Sequence, residues 1–343
     1  MTQELPPEFH RALRRSGEPD RPGSSRSAGV VGLSAMADGT RGADVRRFLP
    51  VRHVRQAVGH VVAGMQHWRL MLKLWKAPAG SLLFAVVRGR PEIWGMLQAP
   101  FVSAWWEAEQ RFARIIDHCR LADTLGRPFN LLPNEFVDLI DLPELAADVR
   151  IKLDAPHWML RDGLLVLSLW AGADRIYSLA FIFAEQDGRR FAYVGGVQGR
   201  RGPSSLDRNR ALTKAAYGVR PPDLLFEIFR LLCRELGLAE IKGVSDGNRH
   251  QRSDYFRERS DFVDPVYFDY DAFWRERGGA LGADGFFVLP PEAPVRAEDD
   301  IPSRKRCLYR HRREMMAAIE GRLREAMSAP TGIAVQEHEP RWI

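Results

Sequence analysis

Apolar positions along the chain recur first at helical and then at strand spacing, and the change falls near Pro156. Within residues 46–155, Val54, Val58, Val61, Met65, Trp68 and Leu72 fit one helical face, and Trp105, Phe112, Ile115 and Ile116 predict a second helix. Pro78, Pro91, Pro100, Pro128, Pro133 and Pro143 cut this region into short pieces. After Pro156, residues 157–160, 164–170, 176–183 and 191–197 are apolar runs of strand length. Arg161-Asp162-Gly163, Ala171-Gly172-Ala173-Asp174 and Gln186-Asp187-Gly188 separate them, and such short connections predict an antiparallel meander.

A helix is expected from Pro221, with Leu224, Leu225, Ile228, Phe229, Leu231, Leu232 and Leu236 on a wide apolar arc and Gly237 as its stop. Residues 240–245 then read as a strand. A strand, a crossover and a strand in series predict a parallel pair. Residues 265–270 and 286–289 are further strand candidates, and a last helix is expected over 303–327. The fold class is therefore mixed α+β/α/β: an antiparallel meander, a helix and a parallel strand, with an N-terminal helical region. Residues 1–45 lack an apolar period and read as a disordered arm, 46–155 as the helical region, 156–327 as the mixed domain and 328–343 as a flexible tail.

Composition narrows the function classes. At 343 residues with 45% apolar and 27% charged, the chain can bury a sizeable core. No apolar run reaches the 18 or so residues of a membrane span, and the first residues do not follow a signal-peptide pattern, so a cytoplasmic protein is expected, with peripheral contact at the inner membrane as an option. Cys119, Cys233 and Cys307 form no paired motif, and His53, His60 and His67 recur too far apart along a helix to share one ion, so no metal is expected. The net charge of +6 is modest. Its placement carries more information than its size.

Two basic clusters suggest an anionic ligand. Gln198, Gly199, Arg200, Arg201 and Gly202 form a glycine- and arginine-containing turn, followed by Arg208, Arg210, Lys214 and Arg220. Glycines let backbone N–H groups approach a phosphate, and arginines bind its oxygens bidentately. The second cluster is Arg304, Lys305, Arg306 and Arg310 at a helix start, where the macrodipole disfavours cations unless an anion or carboxylate relieves them. Solvated arginines and structural ion pairs are the bland alternatives for both. His250 and Asp246, at the carboxyl end of the expected parallel strand, and Tyr193 are the candidates for catalysis. The basic residues lack an accompanying aromatic set, so nucleic acid is not the expected partner.

The succession Val194-Gly195-Gly196-Val197-Gln198-Gly199, Thr213-Lys214, Tyr217-Gly218-Val219-Arg220-Pro221, Gly243-Val244-Ser245, Tyr270-Asp271-Ala272-Phe273-Trp274 and Ser303-Arg304-Lys305-Arg306 resembles the VirK/YbjX family of Gram-negative bacteria. The resemblance runs from about Trp94 to about Leu323. It implies a bacterial role in virulence, envelope stress or resistance to antimicrobial peptides. The meander, helix and parallel strand also resemble the core of GNAT acyltransferases, in which a glycine- and arginine-containing turn holds the pyrophosphate of coenzyme A. That likeness implies acyl-CoA as a cofactor held at residues 198–202, Lys214 and Arg220. Two readings stay open: a GNAT-like acyltransferase using an acyl carrier or other anionic small molecule, and a non-catalytic protein that docks on an anionic membrane or partner.

Overall fold

The computed structural model describes residues 65–200, 202, 205–257, 268–292, 301–328, 332, 334 and 335. Among the described residues four helices come first: α1 (Trp68–Trp75), α2 (Leu82–Gly89), the single turn α3 (Glu92–Gly95) and α4 (Ala108–Leu125). Glu107 opens α4 with a reciprocal cap: its side chain accepts from the Gln110 backbone, and Gln110 Oε1 accepts from the Glu107 N–H at 3.0 Å. Trp105 precedes this cap and is excluded from the helix in which it was expected.

The helical reading of 46–155 fails after α4. Residues there form strands β1 (Glu135–Asp141) and β2 (Val149–Asp154). Val149, Ile151 and Leu153 are all buried, a period of two that the proline spacing obscured. The expected strand at 157–160 is instead a turn, in which the Leu160 N–H donates to the His157 carbonyl at 3.1 Å.

The meander itself is as expected: β3 (Leu165–Ala171), β4 (Asp174–Gln186) and β5 (Arg189–Gly199) pair antiparallel. The stretch read as a basic connector contains helix α5 (Ser205–Ala215). Helix α6 (Pro221–Glu235) follows, starting on Pro221 and ending before Gly237, whose φ of +65° suits glycine. Leu224, Leu225, Ile228, Phe229 and Leu232 are fully buried, and Phe229 meets Phe181 of β4 at 4.8 Å between ring centroids. This helix is a central packing element, as its wide apolar arc predicted.

Strand β6 (Glu240–Val244) pairs parallel with β5, from Phe191 opposite Glu240 to Val194 opposite Gly243. Two 3-10 turns and the short α7 (Asp254–Arg257) come next. Residues 265–267 of a further strand candidate lie outside the described residues, and its last residue, Tyr270, opens helix α8 (Tyr270–Arg275), capped by Asp269 accepting from the Ala272 N–H at 2.8 Å. Strands β7 (Ala280–Leu281) and β8 (Phe286–Leu289), helix α9 (Ser303–Ser328) and strand β9 (Ala334–Val335) complete the order. The short β9 pairs with β1, inside the stretch read as a flexible tail. Among the described residues the strands form one sheet in the order β7-β8-β6-β5-β4-β3-β2-β1-β9. The expected arm, residues 1–45, lies outside the described residues.

Candidate functional site

The parallel contact between β5 and β6 ends at Val194, next to a bulge. Phe181 of β4 stands opposite Val194 and Ala180 opposite Gly196, so Gly195 is the extra residue. A side chain on Gly195 would overlap the Asp162 carbonyl, and a Cβ on Gly196 would stand 2.8 Å from Asp162 Oδ1. Gly199 lies under Tyr177, whose ring would be 2.6 Å from an added Cβ. Gly195, Gly196 and Gly199 answer to close packing, whereas an added Cβ on Gly202 would meet nothing within 4 Å; of the turn read at 198–202, Gln198 and Gly199 are the last residues of β5. The ladder of β5 with β4 persists past Gly199, since the Arg200 N–H donates to the Ile176 carbonyl at 3.0 Å.

Four of the cations around that stretch, Arg200, Arg208, Arg210 and Arg220, are paired internally. Arg200 and the buried Arg208 share Asp174, the latter at 2.7 Å. Arg220 reaches Asp223 at 2.7 Å and Glu276 at 3.0 Å. Arg210 lies 3.4 Å from Asp207. Gln198, Gly202 and Lys214 are exposed, and Arg201 lies outside the described residues.

Beyond the bulge, β5 is met by residues from later in the chain. The Tyr270 hydroxyl accepts from the Val197 N–H at 2.9 Å and donates to the Val197 carbonyl at 3.1 Å. Trp274 donates its indole N–H to the Val244 carbonyl at 2.8 Å and packs against Gly243. Helix α8 thus wedges between the diverging ends of β5 and β6. Tyr270 and Trp274, which lie in a stretch that carries the family resemblance, act here as packing residues.

The same end of the sheet gathers a polar cluster. His250 is 5% exposed, and its Nδ1 lies 3.4 Å from Asp162 Oδ1. Desolvation pushes the Asp162 carboxyl up to about 7, against the pull of a Gln251 hydrogen bond and of Arg249 and Arg161. Desolvation, helped by Arg161 and Arg249, holds His250 down at about 3. Asp246 pairs with the buried Arg249 at 3.2 Å and with Arg252 at 3.0 Å, and its own N–H donates to Asp271 at 2.8 Å. Arg249 also lies over the Tyr270 ring at 5.0 Å. Neutral His250 beside a carboxyl that titrates near neutrality is an arrangement able to hold or pass a proton. Tyr193 stands apart, its ring packed among Trp106, Phe191 and Phe286, where burial pushes the phenol up to about 12.

Sequence reasoning missed Asp162, reading it only as part of a turn. The signal available was the pair of adjacent glycines at 195 and 196, which need a neighbour that approaches closely.

The second basic cluster differs from the first. Helix α9 buries Met315, Ile319 and Leu323, all from its midpoint onward. Its second half is tied down by Arg322 to Glu144 at 2.5 Å and Arg324 to Glu235 at 2.8 Å. Its start is exposed from Ser303 to Cys307. Arg306 donates to the Ile301 carbonyl at 3.3 Å, and Arg310 lies 3.9 Å from Glu314. Arg312 reaches the Tyr217 carbonyl at 2.7 Å and fastens the midpoint of the helix. Among the described residues, no carboxylate lies within ion-pair distance of Arg304, Lys305 or Arg313.

This is a mixed α+β protein on a mostly antiparallel sheet, with a closed Asp–His–Arg cluster and a cationic helix start. Residues 51–325 match the family described as protein of unknown function (DUF535), and the chain belongs to that family. It is similar to the uncharacterised protein YbjX of Escherichia coli K12, 31% identical over 142 residues, which cover 41% of this chain and 42% of the relative. Two uncharacterised proteins of Haemophilus influenzae are 26% and 30% identical over 220 residues, covering 63% of this chain and 71% and 70% of theirs. The match therefore spans less than half of the Escherichia coli relative.

Proposed function

We propose that this protein is a non-catalytic docking protein for anionic surfaces, engaged through the first turns of α9. The supporting observation is the division of that helix: its second half is packed and ion-paired, while Arg304, Lys305, Arg306, Arg310 and Arg313 are exposed at its start. Cations there oppose the macrodipole, and an anionic surface relieves that cost. Near an anionic bilayer each contributes about 1 kcal/mol. The role in envelope stress, peptide resistance or virulence that the family resemblance implies is compatible with such docking. The test is co-sedimentation with vesicles of phosphatidylcholine alone or mixed with phosphatidylglycerol. At low salt we expect a preference for the mixed vesicles that weakens with salt and is reduced when Arg304, Lys305 and Arg306 are all replaced by Glu. Equal binding by that variant would refute the reading.

A second reading has one observation in its favour, the opposite displacement of Asp162 and His250 in one cluster. In it the protein transfers an acyl group from coenzyme A to an amine, with a cluster residue taking the amine proton. The wedge of Tyr270 and Trp274 at the β5 end, and the pairing of Arg200 and Arg220 with carboxylates, count against it. Thermal unfolding unmoved by saturating acetyl-CoA or long-chain acyl-CoA would remove it.

A further inference from the structure

Helix α1 presents its apolar side outward. Of its eight residues only Leu74 is fully buried. Met65, Trp68, Leu72 and Trp75 recur at helical spacing and are 64%, 53%, 41% and 67% exposed. The sequence pattern had placed Met65, Trp68 and Leu72 on a face that a globular core would cover, and the described residues do not cover it. The apolar surface continues past Trp75 into an open cleft walled by Leu74, Phe84, Val87 and Trp94. Arg88 sits at that cleft with its guanidinium 5.3 Å from the Trp75 ring.

The charge on this segment has one sign. Between Asp44 and Glu92 the sequence has no Asp or Glu, and it has nine Lys and Arg, among them the exposed Arg69, Lys73, Lys76 and Arg88. Glu109 of α4 is the carboxylate that meets the start of α1, held by His67 at 2.7 Å. A short helix with an outward Trp, Leu and Met face and basic flanks matches a helix lying in a membrane interface. Indoles favour the headgroup level, where an apolar body meets a polar rim. At eight residues α1 is too short to cross a bilayer, and its outward apolar face is that of an element that lies on one.

We infer that α1 is an interfacial anchor that inserts Trp68, Leu72 and Trp75 into the surface of an anionic phospholipid bilayer, with Arg69, Lys73 and Arg88 at the headgroups. This deepens the docking reading and rests on it in one respect, by naming the anionic surface as lipid. The two contacts differ physically: α9 contributes charge alone, whereas α1 contributes apolar burial that salt does not screen.

The full chain and a Trp68→Ser/Trp75→Ser variant are compared for partitioning onto vesicles of phosphatidylglycerol and phosphatidylcholine. At about 1 M salt the screening length is about 3 Å, so charge-driven binding fades. There the wild type retains binding, and the double variant loses roughly tenfold or more, as expected for two large apolar groups left in water. Both side chains are exposed, so the variant keeps the wild-type denaturation midpoint. Vesicles with brominated acyl chains quench wild-type fluorescence more than that of Trp68→Phe/Trp75→Phe. Equal high-salt partitioning of wild type and variant overturns the inference, as does wild-type binding at low salt that is equal on pure phosphatidylcholine and on the mixed vesicles. Loss of a dimer in the variant without loss of vesicle binding also overturns it, by assigning the stripe to a second copy. Charge reversal on α9 reports separately, through binding at low salt, so either reading can fail alone.

Discussion

The Tyr270 hydroxyl pairs with both the N–H and the carbonyl of Val197, at 2.9 and 3.1 Å. A single side chain thus supplies what a neighbouring strand would supply where β5 parts from β6. It closes the end of the sheet where open α/β folds place their ligands, and the closure is part of the protein's own core.

Removing that hydroxyl tests its weight. Tyr270→Phe leaves two buried backbone groups unpaired, and a loss of about 1 to 3 kcal/mol is expected. Urea unfolding should show a lower midpoint with an unchanged slope.

Gly195 discriminates between packing and ligand binding as the reason for the glycine-rich stretch. Gly195→Ala forces a Cβ into the Asp162 carbonyl, so the variant should unfold at a lower denaturant concentration without any ligand present. Gly202→Ala meets nothing within 4 Å and serves as the control, with a shift near zero.

Asp154 and Arg175 form an ion pair at 2.9 Å, and each side chain is only 3% exposed. The guanidinium also lies 4.5 Å from the Trp158 ring centroid and 5.0 Å from that of Trp170. Asp154→Ala takes the carboxylate from this buried cation and should cost about 3 to 5 kcal/mol, while Asp154→Leu combined with Arg175→Met should recover most of it. Chemical denaturation of the three proteins decides.

His118 makes stability depend on pH. Its Nδ1 accepts from the Phe183 N–H at 3.0 Å, and burial lowers its pKa from 6.5 to about 3. The unfolded chain therefore takes up a proton below pH 6.5 that the folded chain refuses. Stability is present above 6.5 and is lost as the pH falls toward 3, by up to about 1.4 kcal/mol per pH unit. His250 acts in the same direction. Asp162 acts oppositely, since its folded pKa is raised from 3.8 to about 7, and its contribution declines as the pH rises through that window. His118→Leu should be less stable than wild type at pH 7, with the gap narrowing by pH 5. A gap that stays constant would show that His118 does not carry the effect.

Much of the fold was readable because meander, helix and parallel strand each follow from short-range periodicity. Strands β1 and β2 were hidden by prolines that looked like helix breaks, and the turn at 157–160 was apolar enough to pass for a strand. The basic residues were visible, but their partners were not. Asp174 and Arg208, or Asp162 and His250, meet only after distant segments close on one another.

Local pattern thus determined the meander of β3 to β5, the parallel pairing of β6 with β5 and the wide buried arc of α6, because backbone period and side-chain burial are coupled residue by residue. Only the tertiary structure decided that Arg200, Arg208 and Arg220 near β5 are paired with carboxylates while Arg304, Lys305 and Arg313 of α9 have none within reach among the described residues, and that the apolar face of α1 looks outward. A sequence states that a helix has an apolar side. What lies against that side depends on how every other element packs.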